Sequence, residues 1–217
     1  MKLSSVKLAR TVFLFPAGDV NPAGKYLLPI LSALIKRYRF ATFPSFAEAV
    51  QTDQGIKLAQ GVFSHREWKE IAVDLAIYND GLVADTRAGT DVSEAFIEDL
   101  FSWIRDEHGL ERPRSITKQY ISEIIVETNA SLISLNVKLE RFARNLTAKV
   151  KGFGKVSYQL TGLSLWTEQF GPVAAPGFRF ERAVGVPRQQ DRYYSVAPLR
   201  TADHVLLLEQ LEEILRG

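Results

Sequence analysis

Residues 71–86, IAVDLAIYNDGLVADT, contain the pattern of two β-strands joined by a tight turn, and this hairpin decides the class of fold. From Ile71 to Ile77 apolar residues alternate with smaller or polar ones, as in a strand with one buried face. Asp80-Gly81 favours the positive φ angles of a two-residue hairpin turn, and Leu82–Arg87 supplies the return strand. The sequence therefore predicts antiparallel pairing.

The segment that follows the hairpin predicts an amphipathic helix. Asp91 and Glu94 have the spacing of a capping box, and His108-Gly109 is typical of a helix end. Three more amphipathic helices are predicted to begin near Asn21, Val137 and Thr201. Each of the four helices has one apolar stripe, so each is expected to cover a core.

In chain order the predicted elements give β-α-β-β-β-α twice, in residues 1–110 and 111–217. We therefore predict an α+β fold with a mainly antiparallel sheet, four amphipathic helices and an internal duplication of topology. The order is similar to that of the TATA-binding protein family, whose two halves form a saddle. The resemblance is one of topology, since none of that family's sequence motifs is present, and it implies a concave sheet that can face a duplex.

Two structures are compatible with residues 115–151. Apolar residues from Ile121 to Leu146 follow a 4-3 spacing, which is the seam of a single long helix able to pair with another chain. The β-branched residues crowded between Ile121 and Thr128 favour a strand followed by a helix. We expect the strand and helix.

Composition excludes several classes of protein. Hydrophobic residues make up 46% of the chain and charged residues 24%, which is sufficient for a sizeable core. The absence of cysteine excludes thiol catalysis, cysteine-ligated zinc and disulfides. The longest apolar run, Tyr26–Ile35, is far shorter than the ~20 residues of a membrane span, and no secretory signal is found. We expect a cytoplasmic protein without a membrane partner.

Side chains capable of catalysis are scattered along the sequence. His65, His108 and His204 fall in separate predicted elements, so no paired histidine motif is formed, and His204 is expected at the half-buried rim of a helix. Gly152-Phe153-Gly154-Lys155 follows a helix instead of preceding one, unlike a phosphate-binding loop. We predict no cofactor and no metal site, and favour a protein that is not an enzyme.

A cluster of carboxylates supports a third and weaker hypothesis. Asp74, Asp80 and Asp85 surround the hairpin, and such a group would suit a carboxylate-dependent hydrolase. The strand pattern of an acid followed by an acid–lysine step is missing. A solvated hairpin tip is therefore the favoured interpretation.

The third predicted helix indicates a surface for nucleic acid. Leu139, Phe142, Leu146 and Val150 form its inward stripe. The basic residues of the opposite face are Lys138, Arg141, Arg144, Lys149 and Lys151, followed by Lys155. A cationic face of this kind suits phosphate contacts.

One face of the first sheet indicates a surface for a partner. We assign to it small residues and aromatic anchors, namely Phe13, Ala59, Phe63, Ala76 and Tyr78. Net charge alternates along the chain, +6 in residues 1–43, −9 in 44–111 and +6 in 112–155, which suits self-complementary surfaces. The leading hypothesis is therefore a non-catalytic binding or assembly subunit whose partner is itself or another protein, with nucleic-acid association second.

Overall fold

Strands and helices follow one another along the chain in the order that the sequence predicts, apart from one additional short helix. The computed structural model describes residues 1–45, 55–65, 69–130, 132, 137–150, 157–168, 175–186 and 191–216. The elements in these residues are β1 (Lys2–Leu14), α1 (Ala17–Val20), α2 (Leu28–Arg37), β2 (Ile56–Phe63), β3 (Ile71–Tyr78), β4 (Gly81–Thr86), α3 (Thr90–His108), β5 (Thr117–Glu127), α4 (Val137–Lys149), β6 (Gly162–Leu165), β7 (Phe178–Arg182), β8 (Arg192–Ala197) and α5 (Thr201–Arg216).

The eight strands form one sheet in the order β2-β3-β4-β1-β5-β8-β7-β6. The β3–β4 hairpin is antiparallel with Ala76 opposite Val83, and β1 is antiparallel to β4 with Val12 opposite Val83. The predicted α+β class with an antiparallel sheet is confirmed. The described residues hold five helices instead of four, because the short helix α1 precedes the first predicted helix, which corresponds to α2.

The chain forms two compact units. The N-terminal unit contains Val6–Ser122 and Leu199–Thr201, and the C-terminal unit contains Met1–Ser5, Glu123–Pro198 and Ala202–Gly217. Strands β1 and β5 each contribute residues to both units. That residues 1–110 and 111–217 form two halves with the same order of elements stays a prediction.

In the N-terminal unit, helices α2 and α3 cover one face of the sheet. Phe96 and Ile97 of α3 are fully buried, and Phe13 of β1 stacks on Phe101 with ring centroids 6.2 Å apart. Tyr38, directly after α2, meets Phe96 edge to face at 4.9 Å. Aromatic packing of this kind adds to the burial of apolar area and fixes the helices on the sheet.

In the C-terminal unit, the core lies against strands β7 and β8. Phe180 stacks on Tyr193 with ring centroids 4.7 Å apart, and Leu208 of α5 is fully buried. Among the described residues between 157 and 168, the one strand is β6.

Strand β5 settles the two interpretations of residues 115–151. Ser122, Ile124 and Val126 are buried while their neighbours are half-buried, which is the alternation of a strand. The helix that follows in the described residues is α4, Val137–Lys149. The strand and helix are confirmed, and the single long helix is wrong.

Two predicted helix starts differ from the structure, and in each the predicted capping side chain has another hydrogen-bond partner. The Asn21 side chain accepts the Lys25 backbone N–H and donates to the Lys25 carbonyl, both at 2.8 Å, so it closes a loop and α2 begins only at Leu28. Helix α3 begins at Thr90, and the Glu94 carboxylate accepts from Lys118 instead of reaching back to a cap. The capping box at Asp91 and Glu94 is wrong.

The β3–β4 turn is displaced by one residue. Tyr78 pairs with Gly81, so the two turn residues are Asn79 and Asp80. Gly81 has a φ of +156°, and an added Cβ there would lie 2.1 Å from the Phe13 carbonyl oxygen. Gly81 is therefore needed for the close approach of β4 to β1.

Candidate functional site

An open sheet face is present in the N-terminal unit. The paired registers align Lys57, Ala76, Val83 and Val12 in one row across four strands. The three apolar members are half-buried, in contrast to the buried residues beneath α2 and α3. We call this row, with Asp74, the open face.

The open face differs from the predicted partner surface at two anchors. Phe13 is 0% exposed and Phe63 is 2% exposed, and both belong to the core beneath the helices. Phe63 changes face because of a β-bulge between Leu58 and Gly61, where Gln60 has a φ of +56° and the alternation shifts by one residue. The assignment of Phe13 and Phe63 to an exposed surface is wrong.

The other three residues of that prediction are more accessible. Ala76 is on the open face, and Tyr78, half-buried, is at the end of the same strand. Ala59 lies at the bulge, where its backbone N–H donates to the Thr42 carbonyl at 2.8 Å. Their role in binding a partner stays a prediction.

Charges on the open face are partly paired. Arg10 donates to both carboxylate oxygens of Asp85, at 2.8 and 2.7 Å. Asp74 accepts the Gln60 backbone N–H at 2.7 Å and is opposite Asp85 in the register. Lys57 and Asp74 are exposed, and neither forms an ion pair with a described residue.

These carboxylates do not form a metal-binding group in the described part of the chain. Asp85 is held by Arg10, and Asp74 is held by a backbone amide. No three histidine or acidic side chains among the described residues converge as metal ligands do.

A charged cluster fastens α3 to strand β5. Glu94 accepts from Lys118 at 2.8 Å and from Tyr120 at 3.1 Å, and Arg200 lies 2.7 Å away. Burial opposes ionisation of Glu94, but Lys118, Arg200 and Tyr120 outweigh it and hold its pKa below the ordinary value. The cluster therefore works as a structural clamp in the ionised state.

Helix α4 presents the exposed part of the predicted nucleic-acid surface. Arg141, Arg144 and Lys149 are exposed, and Arg144 lies 3.9 Å from Glu140. The Lys138 side chain, Lys151 and Lys155 lie outside the described residues.

The apolar stripe of α4 departs from prediction. Leu139 is 43% exposed and Phe142 is 65% exposed, whereas Leu146 and Val150 are half-buried. The expected inward stripe is therefore wrong at Leu139 and Phe142, because the amphipathic pattern identifies an apolar face without identifying what covers it.

A serine and a histidine meet inside the C-terminal unit. Ser195 Oγ and His204 Nε2 are 2.8 Å apart, and Ser195 also donates to the Arg179 carbonyl at 2.8 Å. Both side chains are fully buried, so no substrate reaches the pair. His204 is thus a buried structural residue, and its predicted position at a half-buried rim is wrong.

An apolar cavity of about 540 Å³, which no sequence pattern predicts, lies in the N-terminal unit. It lies between α1, α2, α3 and the ends of β1 to β4, with Leu31, Phe101 and Leu82 among its walls. The sequence pattern marks such residues as core and contains no signal that the core is hollow.

Comparisons with known proteins give a distant structural similarity. No family model matches the sequence, and neither does any curated protein. Among solved structures, the chain is similar to Methanococcus jannaschii TBP, with a TM-score of 0.47 and 13% identity over 99% of this chain and 97% of that chain. None of the described helices is long and apolar enough to cross a bilayer.

Proposed function

We propose that this chain is a non-catalytic assembly subunit that pairs with a second copy of itself through the open face. The observation that supports the proposal is the half-buried row of Val12, Val83 and Ala76, on the side of the sheet that α2 and α3 do not cover. Burial of apolar surface contributes a favourable free energy of about 25 cal/mol per Å², so the docking of a second surface on this row is favourable. Ala76 keeps the row shallow enough for another sheet or helix to approach.

The charges of the face favour a second copy as the occupant. Lys57 and Asp74 have opposite charges on the same face, and neither is ion-paired with a described residue. A two-fold axis brings each patch onto itself, so Lys57 of one copy can meet Asp74 of the other, twice in one interface. The face is therefore complementary to itself in charge as well as in apolar character.

Substitution of Ala76 by arginine tests the proposal. The matched control is Ala202→Arg, at an exposed alanine of the C-terminal unit. Light scattering after size-exclusion chromatography measures the mass over a range of concentrations, starting from a chain mass of 24.4 kDa. We expect a dimer for the wild type and the control, and a monomer for Ala76→Arg. A wild-type chain that stays monomeric at the highest concentration contradicts the proposal.

Nucleic-acid association is the second candidate function. Arg141 and Lys149 are exposed on α4 and form no ion pair with described residues, so both are available to phosphates. Each phosphate contact contributes about −0.9 to the slope of log K against log salt for a duplex. The double variant Arg141→Glu with Lys149→Glu is expected to abolish binding to a labelled duplex, measured by fluorescence anisotropy at several salt concentrations. Binding that persists in this variant removes α4 from consideration.

A further inference from the structure

The apolar cavity of the N-terminal unit has the size and lining of a ligand site. Protein interiors are close-packed and contain few voids larger than a water molecule, whereas small-molecule pockets measure about 300–1,000 Å³. This cavity measures about 540 Å³, and 17 of its 20 lining residues are aliphatic or aromatic. A ligand for it must therefore present mainly hydrocarbon.

Lys25 is the one charged residue among the described residues that line the cavity. Its ammonium donates to the carbonyls of His108 and Gly109, at 2.7 and 2.8 Å, at the C-terminal end of α3. An ammonium has three N–H donors, so one donor remains. No described carboxylate lies within ion-pair distance of Lys25, and its charge is open to an anion.

The loop that contains Lys25 leaves apolar side chains at the cavity mouth. Tyr26 is 72% exposed and Leu27 is 50% exposed, although both line the cavity. The two Asn21–Lys25 hydrogen bonds hold the base of this loop, and Gly24 has a φ of +63° that permits its turn. A bound hydrocarbon chain gives the exposed Tyr26 and Leu27 side chains an apolar surface to contact.

We propose that this cavity binds a single-chain carboxylic acid, with its hydrocarbon chain among the apolar walls and its carboxylate on the Lys25 ammonium. The hydrocarbon chain contacts the apolar lining, and the carboxylate accepts a charge-assisted hydrogen bond from the remaining N–H of Lys25. A neutral ligand with a hydrocarbon chain of the same length gains only the apolar contact. A cationic ligand is repelled by the charge of Lys25. The site shares no tested residue with the open face, so it stands or falls independently of self-assembly.

Calorimetric titration with three twelve-carbon probes tests the assignment. The probes are dodecanoate, dodecanol and dodecyltrimethylammonium, each used below the concentration at which it forms micelles. We expect one dodecanoate per chain, weaker binding of dodecanol and the weakest binding of the cation. Dodecanoate is also expected to raise the melting temperature, since a ligand that binds only the folded state stabilises it.

Two substitutions locate the ligand. Lys25→Met keeps an apolar stem and removes the charge, and is expected to weaken dodecanoate binding about tenfold, as for loss of a charged hydrogen bond, with dodecanol affinity unchanged. Lys36→Met, at an exposed lysine of α2 outside the lining, is the matched control and is expected to leave both affinities unchanged. Ile30→Trp fills the cavity and is expected to abolish binding of both probes, and Leu28→Trp serves if that variant fails to fold.

Three results would overturn the proposal. They are the absence of saturable binding of dodecanoate, full binding by the folded cavity-filling variant, and an equal loss of dodecanoate and dodecanol binding in Lys25→Met. The last result would show that Lys25 acts only through its hydrogen bonds to the end of α3.

Discussion

Thr90 and Thr201 exchange hydrogen bonds across 111 residues of chain. The Thr90 backbone N–H donates to Thr201 Oγ1 at 3.1 Å, and the Thr201 backbone N–H donates to Thr90 Oγ1 at 2.9 Å. Each threonine is the first residue of its helix, so each side chain satisfies a backbone donor that the other helix leaves open. The exchange therefore links Thr201 to the start of α3 within the N-terminal unit.

A double-mutant cycle at this pair tests the reciprocity. Thr90→Val and Thr201→Val each keep the side-chain shape and leave one buried N–H without its acceptor, which is expected to cost about 1–3 kcal/mol. Each hydrogen bond holds the two residues at the distance that the other bond needs. The double variant is therefore expected to lose less unfolding free energy than the sum of the losses in the two single variants. Urea unfolding measures the free energies, with the exposed Ser102→Ala as control. Strict additivity would contradict the exchange.

Glu94 predicts a pH dependence of stability. Its folded-state pKa is lowered from the ordinary 4.5, because Lys118, Arg200 and Tyr120 favour the charged form more than burial opposes it. The stabilisation is therefore fully present above pH 4.5 and is lost as the pH falls through the lower folded-state pKa. We expect the difference in unfolding free energy between wild type and Glu94→Gln to shrink in that acidic window. Glu111→Gln, at an exposed position, is the control.

Gly81 is predicted to tolerate no side chain. Gly81→Ala places a Cβ 2.1 Å from the Phe13 carbonyl oxygen at a φ of +156°, so it is expected to destabilise the fold by more than ~1 kcal/mol. Gly18→Ala in α1 is the control, because an added Cβ there meets nothing within 4 Å. Thermal unfolding followed by circular dichroism compares the two. Equal melting temperatures would show that β4 can move away from β1.

Charge reversal on the open face predicts a heterodimer. Lys57→Asp leaves only negative charge at these two positions and Asp74→Lys leaves only positive charge, so each variant alone is expected to be monomeric. A mixture of the two restores both opposite-charge pairs of a two-fold interface, and is expected to dimerise more weakly as salt rises. Native mass spectrometry of chains with different isotopic labels measures the mixed species. A mixture that stays monomeric while the wild type dimerises would remove Lys57 and Asp74 from the interface.

Local sequence determined most of the strands and the ends of two helices. Alternation from Ile71 to Ile77 is visible because a strand with one buried face needs a period of two, and β-branched residues after Ile121 favour a strand for the same local reason. Gly109 ends α3 in the left-handed conformation that glycine adopts without strain. Thr201 begins α5 as expected.

The tertiary structure decided which side of each strand is covered. In β1 the larger aliphatics Val12 and Leu14 suggest the core side, yet Ala9, Thr11 and Phe13 are the buried set. Thr11 Oγ1 lies 2.7 Å from Ser93 Oγ of α3, an approach that small side chains permit and that only the placed helix can select. The bulge at Gln60 and the hollow between α2 and α3 have the same origin, because both depend on how distant segments fill space. Period and propensity act between neighbours in sequence, whereas the choice of a face and the shape of a cavity arise from packing between segments that meet only in the folded chain.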